Sequence, residues 1–162
     1  MKKIINVVAL LFFSAVVFSQ NKLRDGIYLV EDDAKNTTSA KFEKTDIRYN
    51  PYFVDEAPEE YDPVSIVTND FVAFELTTLP FIQYQEPEGN LLIVHLTKGA
   101  TEKLTEFTAK NMMNHIAVVV SGEVLAIYKV TQPIRSEIIK ISKCNGNACS
   151  DVYAKLKDKV KN

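Results

Sequence analysis

The chain of 162 residues carries two cysteines and two histidines, and neither pair stands at a spacing that builds a catalytic or metal site. Cys144 and Cys149 enclose Asn-Gly-Asn-Ala, which is not the C-x-x-C of thioredoxin-like enzymes. His95 and His115 lack a second ligand at a zinc-type interval, so both are expected to be structural. No G-x-S-x-G elbow occurs and no Cys-His pairing is readable, which leaves no nucleophile to nominate. The acidic runs Glu31-Asp32-Asp33 and Asp55-Glu56-Ala57-Pro58-Glu59-Glu60-Tyr61-Asp62 lack the D-x-D-x-D-G order of a calcium loop and read as solvated. The triplet Asn36-Thr37-Thr38 matches a glycosylation acceptor, a pattern too common to carry weight. No metal or cofactor is expected from these residues, and no enzymatic activity is readable. Internal repeats, low-complexity tracts and, after Phe18, apolar runs long enough to cross a bilayer are also absent from the sequence.

What is present begins with an address. Lys2 and Lys3 precede an apolar stretch, Ile4 to Phe18, broken only by Asn6 and Ser14, and the sequence turns polar from Ser19. That order predicts a secretory signal peptide over residues 1–19, the alternative being a retained membrane anchor. The apolar part is about 15 residues, short of the roughly 20 a spanning helix needs. Val17 and Ser19 suit the −3 and −1 positions of cleavage, and no cysteine follows that would direct lipid anchoring. The mature chain, Gln20 to Asn162, is then expected to be one domain without a membrane span, periplasmic or extracellular. Loss of Lys2 and Lys3 takes the 19 basic residues to 17 against 21 acidic ones, a net charge of −4. Such a balance disfavours nonspecific contact with nucleic acid or anionic lipid. In an oxidising compartment Cys144 and Cys149 are expected to pair as a disulfide, with two reduced thiols or a redox pair as the alternatives.

Strand signals occur at Gly26 to Val30, Lys41 to Tyr49, Val64 to Val67, Phe71 to Thr78, Phe81 to Tyr84 and Leu91 to Thr97. The run Leu91-Leu92-Ile93-Val94 is apolar on both faces, as in a strand inside a sheet. A helix is expected from Thr97 or Lys98 to about Asn114, with Thr97 as N-cap and Ala100, Leu104, Phe107 and Met112 on its apolar side. Ile116 to Val120 and Val124 to Val130 flank Ser121-Gly122 and form a tight hairpin. Glu137 to Ser142 reads as a short strand. The last helix, Ala148 to about Val160, places Cys149, Val152, Tyr153, Leu156 and Val160 on one stripe. The sum is an α+β fold, an antiparallel sheet with two helices packed on one face, preceded by an irregular part over residues 20–63. Tyr49, Tyr52, Phe53 and Tyr61 bracket the proline-rich acidic loop from Asn50 to Pro63. Exposed together they would form a partner patch; the alternative is that they fold back over the sheet.

The C-terminal half resembles the head subdomain of the first periplasmic domain of the SecD and SecDF protein-export family. The resemblance lies in Leu96-Thr97, Gly99-Ala100, Phe107-Thr108, Asn111, Ile116-Ala117-Val118-Val119-Val120-Ser121-Gly122-Glu123-Val124 and Gln132-Pro133-Ile134. Ser121 stands where the family has a turn Asp, and Tyr128-Lys129 where it tends to have Ala-Pro. Residues from Leu91 to Lys159 take part, whereas Gly26 to Glu88 agree only in the order of elements. The transmembrane helices and intramembrane charged residues of the family are missing from the sequence, so no proton-driven motor is expected. The resemblance implies a small α+β fold and a module that touches polypeptides or other envelope proteins. Fold alone does not carry function, and a small secreted enzyme or ligand-binding protein with a spatially assembled site is the alternative.

Overall fold

The computed structural model describes residues 23–31, 43–50, 53, 63–84, 89–144 and 146–161. The expected signal peptide, the triplet from Asn36, the acidic residues Asp32 and Asp33, and the acidic loop from Asp55 to Asp62 lie outside the described residues. The strands are β1 (Gly26–Val30), β2 (Lys44–Tyr49), β3 (Val64–Ala73), β4 (Phe81–Gln83), β5 (Asn90–His95), β6 (His115–Val120), β7 (Glu123–Lys129) and β8 (Ile138–Cys144). Helix α1 (Lys98–Lys110) follows β5, and α2 (Gly146–Leu156) follows β8 and ends in a single 3-10 turn, Lys157–Lys159.

The architecture is α+β, as the patterns predict, with the strands divided between two sheets. β1, β3, β2, β7 and β6 close into a small barrel, and β4, β5 and β8 form a separate three-stranded sheet. Every ladder between these strands is antiparallel except the short parallel pairing of β2 with β7, Arg48 to Glu123 and Tyr49 to Val124. The two-residue side-chain period of the barrel strands then sorts their apolar residues into two cores. Tyr28, Ile47, Val64, Ile66, Ala117, Val119 and Val124, drawn from all five barrel strands, fill its inside. Ile27, Val72, Ile116, Val118 and Leu125 point the other way and join Leu92, Val94, Ile139 and Ile141 of the second sheet in the main core. Both helices bury their apolar sides there, through Ala100, Leu104 and Phe107 and through Cys149, Val152 and Leu156.

The β6–β7 hairpin turns on Ser121 and Gly122, both at positive φ (55° and 81°), the pair of conformations a two-residue turn requires. Its tip is anchored: the Ser121 N–H donates to Asp25 Oδ1 at 2.7 Å, and Lys159 Nζ lies 3.1 Å from Asp25 Oδ2. One carboxylate thus joins the start of β1, the hairpin tip and the C-terminal turn.

Several boundaries differ from the expectations. The strand expected at Val64 to Val67 and the start of that expected at Phe71 to Thr78 are one strand, β3, which ends at Ala73 and leaves Phe74 to Thr78 outside it apart from the Leu76 bridges. Tyr28 pairs with Phe71 and Leu29 with Val67, so the polar residues Thr68, Asn69 and Asp70 bulge out and interrupt the apolar pattern without ending the strand. Helix α1 stops at Lys110, and Met112, expected on its apolar side, is 37% exposed. Thr101 and Thr108 occupy that side instead; their hydroxyls donate to Thr97 O (3.0 Å) and Leu104 O (2.7 Å), which permits their burial. Thr108 Oγ1 also accepts from the Ile134 N–H at 2.9 Å, and Thr105 Oγ1 donates to Ile134 O at 2.8 Å, pinning the connector into β8 onto α1. Thr97 caps α1 as expected, accepting from the Ala100 N–H at 3.2 Å. Helix α2 ends at Leu156, because Val160 leaves the helix to bridge Leu76.

Tyr28 titrates outside the usual tyrosine range. Its ring stacks on Phe71, with centroids 4.7 Å apart, and its hydroxyl donates to Arg24 O at 2.5 Å. Burial, opposed by the Arg24 charge, pushes its pKa up to about 12 from 10.0. The neutral phenol is therefore the form the fold favours: this contribution is complete below pH 10, where the unfolded chain's tyrosines ionise, and is lost as pH rises through about 12. An ultraviolet titration of the folded protein should show a tyrosine ionising near pH 12, absent in Tyr28→Phe, and the alkaline loss of stability should be shallower in that variant.

Candidate functional site

The second sheet has one covered face and one open face. Leu92, Val94, Ile139 and Ile141 point inward to the main core. The cross-strand register sets Phe81 opposite Ile93, Ile93 opposite Lys140, and His95 opposite Ile138, so Phe81, Ile93, His95, Ile138 and Lys140 share the outward face, with Ile93 itself buried between its neighbours. Phe81 is 45% exposed and Ile138 44%, and the Phe81 and His95 rings lie 5.8 Å apart. Leu79 and Tyr84, 54% and 77% exposed, flank β4 at its two ends. An aromatic and aliphatic surface thus crosses β4, β5 and β8 diagonally, and the clustering rather than any single exposed residue is informative.

The sequence builds this surface in a simple way. From Leu76 to Gln85 no residue is charged, between Glu75 and Glu86, in a chain that is 25% charged. Pro80 immediately precedes β4, where its missing N–H costs the ladder nothing. The strand patterns located β4 and β5 but not the outward face, since a run such as Leu91-Leu92-Ile93-Val94 does not say which side a neighbour covers. The charge-free run was the signal that could have pointed to it.

The residues singled out from sequence fare differently. Cys144 and Cys149 form a disulfide with Cα atoms 5.4 Å apart, tying the end of β8 to the first turn of α2. Both are buried, so the bond serves as a staple within the core. Replacing them together, Cys144→Ala with Cys149→Ala, should cost about 2 kcal/mol, read as a lower urea midpoint, because the short loop is no longer closed in the unfolded chain. The aromatic patch does not assemble as an exposed surface from the described residues. Phe53 is 1% exposed in the main core, its N–H donating to Asn50 O at 3.1 Å, which is the fold-back alternative for this residue. Tyr49 is half-buried against the barrel core, where burial raises its phenol pKa. Tyr52 and Tyr61 lie outside the described residues. Glu31 pairs with Lys44 and lies 3.5 Å from Ser65 Oγ. His95 belongs to the outward face, and His115 opens β6.

Among the described residues no group of three or more His, Cys, Asp or Glu could hold a metal ion. A polar cleft of about 470 Å³ lies between Arg24, Asp25, Ser121, Lys155, Asp158 and Lys159. Asp25 is already committed there to Ser121 and Lys159, so the cleft reads as a structural lock. No helix of the described residues is long and apolar enough to cross a membrane.

No family model matches this chain, and no curated protein matches it. Among solved structures it is similar to one of SecDF, a membrane component that enhances protein export, at 12% identity and a TM-score of 0.48. A structure of SecDF in its super-membrane-facing form gives 14% identity and the same TM-score of 0.48. These likenesses cover 83% and 84% of this chain, which itself spans 63% of the first and 18% of the second. Likeness at this level does not bear on function.

Proposed function

We propose that this protein is an exported, non-enzymatic interaction module that receives polypeptide on the outward face of β4, β5 and β8. The observation that carries the reading is the exposed surface of Leu79, Phe81 and Tyr84, set in a charge-free stretch, with Ile138 of β8 exposed beside it on the same face among the described residues. Apolar and aromatic side chains around a sheet suit an unfolded or extended protein segment, whose own apolar residues need cover. The signal-like leader and the buried Cys144–Cys149 disulfide favour an oxidising compartment outside the cytoplasm. The residue-level resemblance to the export-family head, from Leu96 to Ile134, agrees with a role in handling polypeptide chains.

The test is a titration of fluorescein-labelled, reduced and carboxymethylated α-lactalbumin, a chain unable to fold, with the full-length mature protein. Saturable binding is expected. Phe81→Glu combined with Ile138→Glu should weaken it about tenfold, since both alter the centre of the surface. Glu102→Lys, on the exposed side of α1, should leave it unchanged. Absence of saturable binding, or binding indifferent to the double substitution in a protein with unaltered circular dichroism, would count against the reading.

A further inference from the structure

The geometry points to a specific mode of recognition at this surface: an extended polypeptide segment adds to the free edge of β4 as a further strand, pairing main chain to main chain. This deepens the reading above and rests on it. β4 pairs with β5 on one side through Phe81, Ile82 and Gln83, and no other described residue hydrogen-bonds its main chain. In an antiparallel ladder alternate residues turn both N–H and C=O to the same side, so β4 holds outward-directed groups that β5 does not use. Unpaired main-chain groups in a row are recognised by another main chain.

Folded proteins usually guard such an edge with charge. Here no charged residue occurs from Leu76 to Gln85, and Phe81 stands exposed on the strand with Leu79 and Tyr84 exposed beyond its two ends. The opposite edge of the sheet is guarded: the Tyr128 hydroxyl of β7 donates to Lys140 O of β8 at 2.8 Å. β4 is thus the open edge among the described residues.

The occupant is an extended segment with apolar side chains at alternate positions, one side of which would lie beside Phe81. A second copy of this chain, meeting β4 to β4, would bring two charge-free edges together, and self-association in sedimentation is the outcome that reads it.

The experiment uses the full-length mature protein and a labelled probe peptide, acetyl-Lys-Thr-Val-Thr-Val-Thr-Val-Lys-amide. Two further peptides carry N-methyl groups on alternate residues, one in each phase. Strand addition predicts that the parent peptide binds, that one methylated phase loses about tenfold in affinity, and that the other, whose methyls face solvent, stays within about twofold of the parent. No binding by the parent peptide, or equal affinity of the two methylated phases, overturns strand addition. So does a self-associated form in sedimentation that the peptide fails to dissociate. Carboxymethylated α-lactalbumin measured alongside separates the two failures: if it binds while the methylated phases are equal, the surface still takes polypeptide but not as a strand; if it does not bind, the broader reading falls too.

Discussion

Gly26→Ala is expected to cost about 3 kcal/mol, a large part of the 5–15 kcal/mol by which folded domains are stable. A Cβ built at Gly26 would lie 2.4 Å from Val72 O and 3.1 Å from Ala73 Cα. These are main-chain atoms of β3, and they cannot swing aside as a side chain would. Gly26 also faces Val119 of β6 across the other ladder, so β1 is held on both sides within a closed barrel. Relief would require the β1–β3 ladder to part at its end, near the Asp25 carboxylate that holds the hairpin tip. Urea unfolding followed by far-ultraviolet circular dichroism should show the midpoint fall at an unchanged slope, since the chain has no tryptophan to report it. A loss below about 1 kcal/mol would mean that β1 and β3 are not packed this closely.

Leu76→Ala should cost a similar amount, about 2–5 kcal/mol, for a different reason. Leu76 is fully buried although it lies in neither a long strand nor a helix. It bridges Leu96 on one side and Val160 on the other. Its N–H donates to Lys159 O at 3.1 Å and its carbonyl accepts from the Lys161 N–H at 2.9 Å, while Lys161 Nζ lies 2.8 Å from Glu75. The side chain is the apolar pin that seats the C-terminal segment against the junction of barrel and second sheet. Truncation leaves a cavity with several walls, each belonging to a different element, and such a site collapses poorly. Amide exchange at Lys161 should accelerate by more than the global loss predicts, because the clasp opens locally. A global loss without local acceleration would show that the clasp does not depend on Leu76.

Local pattern made the hairpin, the capped helix α1 and the stripe of α2 legible, because each depends on residues close in sequence. Thr97 and Ser121-Gly122 perform the cap and turn their types suit. The split into two sheets was not legible, since a period of two residues places a side chain on a face without naming the strand beside it. Thr68, Asn69 and Asp70 interrupt the apolar pattern of β3, and only the pairing of Tyr28 with Phe71 and Leu29 with Val67 shows them to be a bulge within one strand. Phe53 shows a choice that the sequence leaves open: an aromatic in a polar, proline-rich stretch could face a partner or fold back over the sheet, and the structure buries the ring in the main core. For the interaction surface, Phe81 and Ile138 are far apart in sequence and meet only through β5, and of the set only the missing charge from Leu76 to Gln85 was available beforehand.

We propose that polypeptide is received at β4 and the open face beside it. Hydrogen exchange of the full-length mature protein, resolved by residue and compared with and without carboxymethylated α-lactalbumin, tests it most directly. Slowed exchange is expected at the outward-directed amides of β4, within Phe81 to Gln83, with the solvated side of α1 unchanged. Slowing confined to α1 or to the barrel, with β4 exchanging at its free rate, would contradict it.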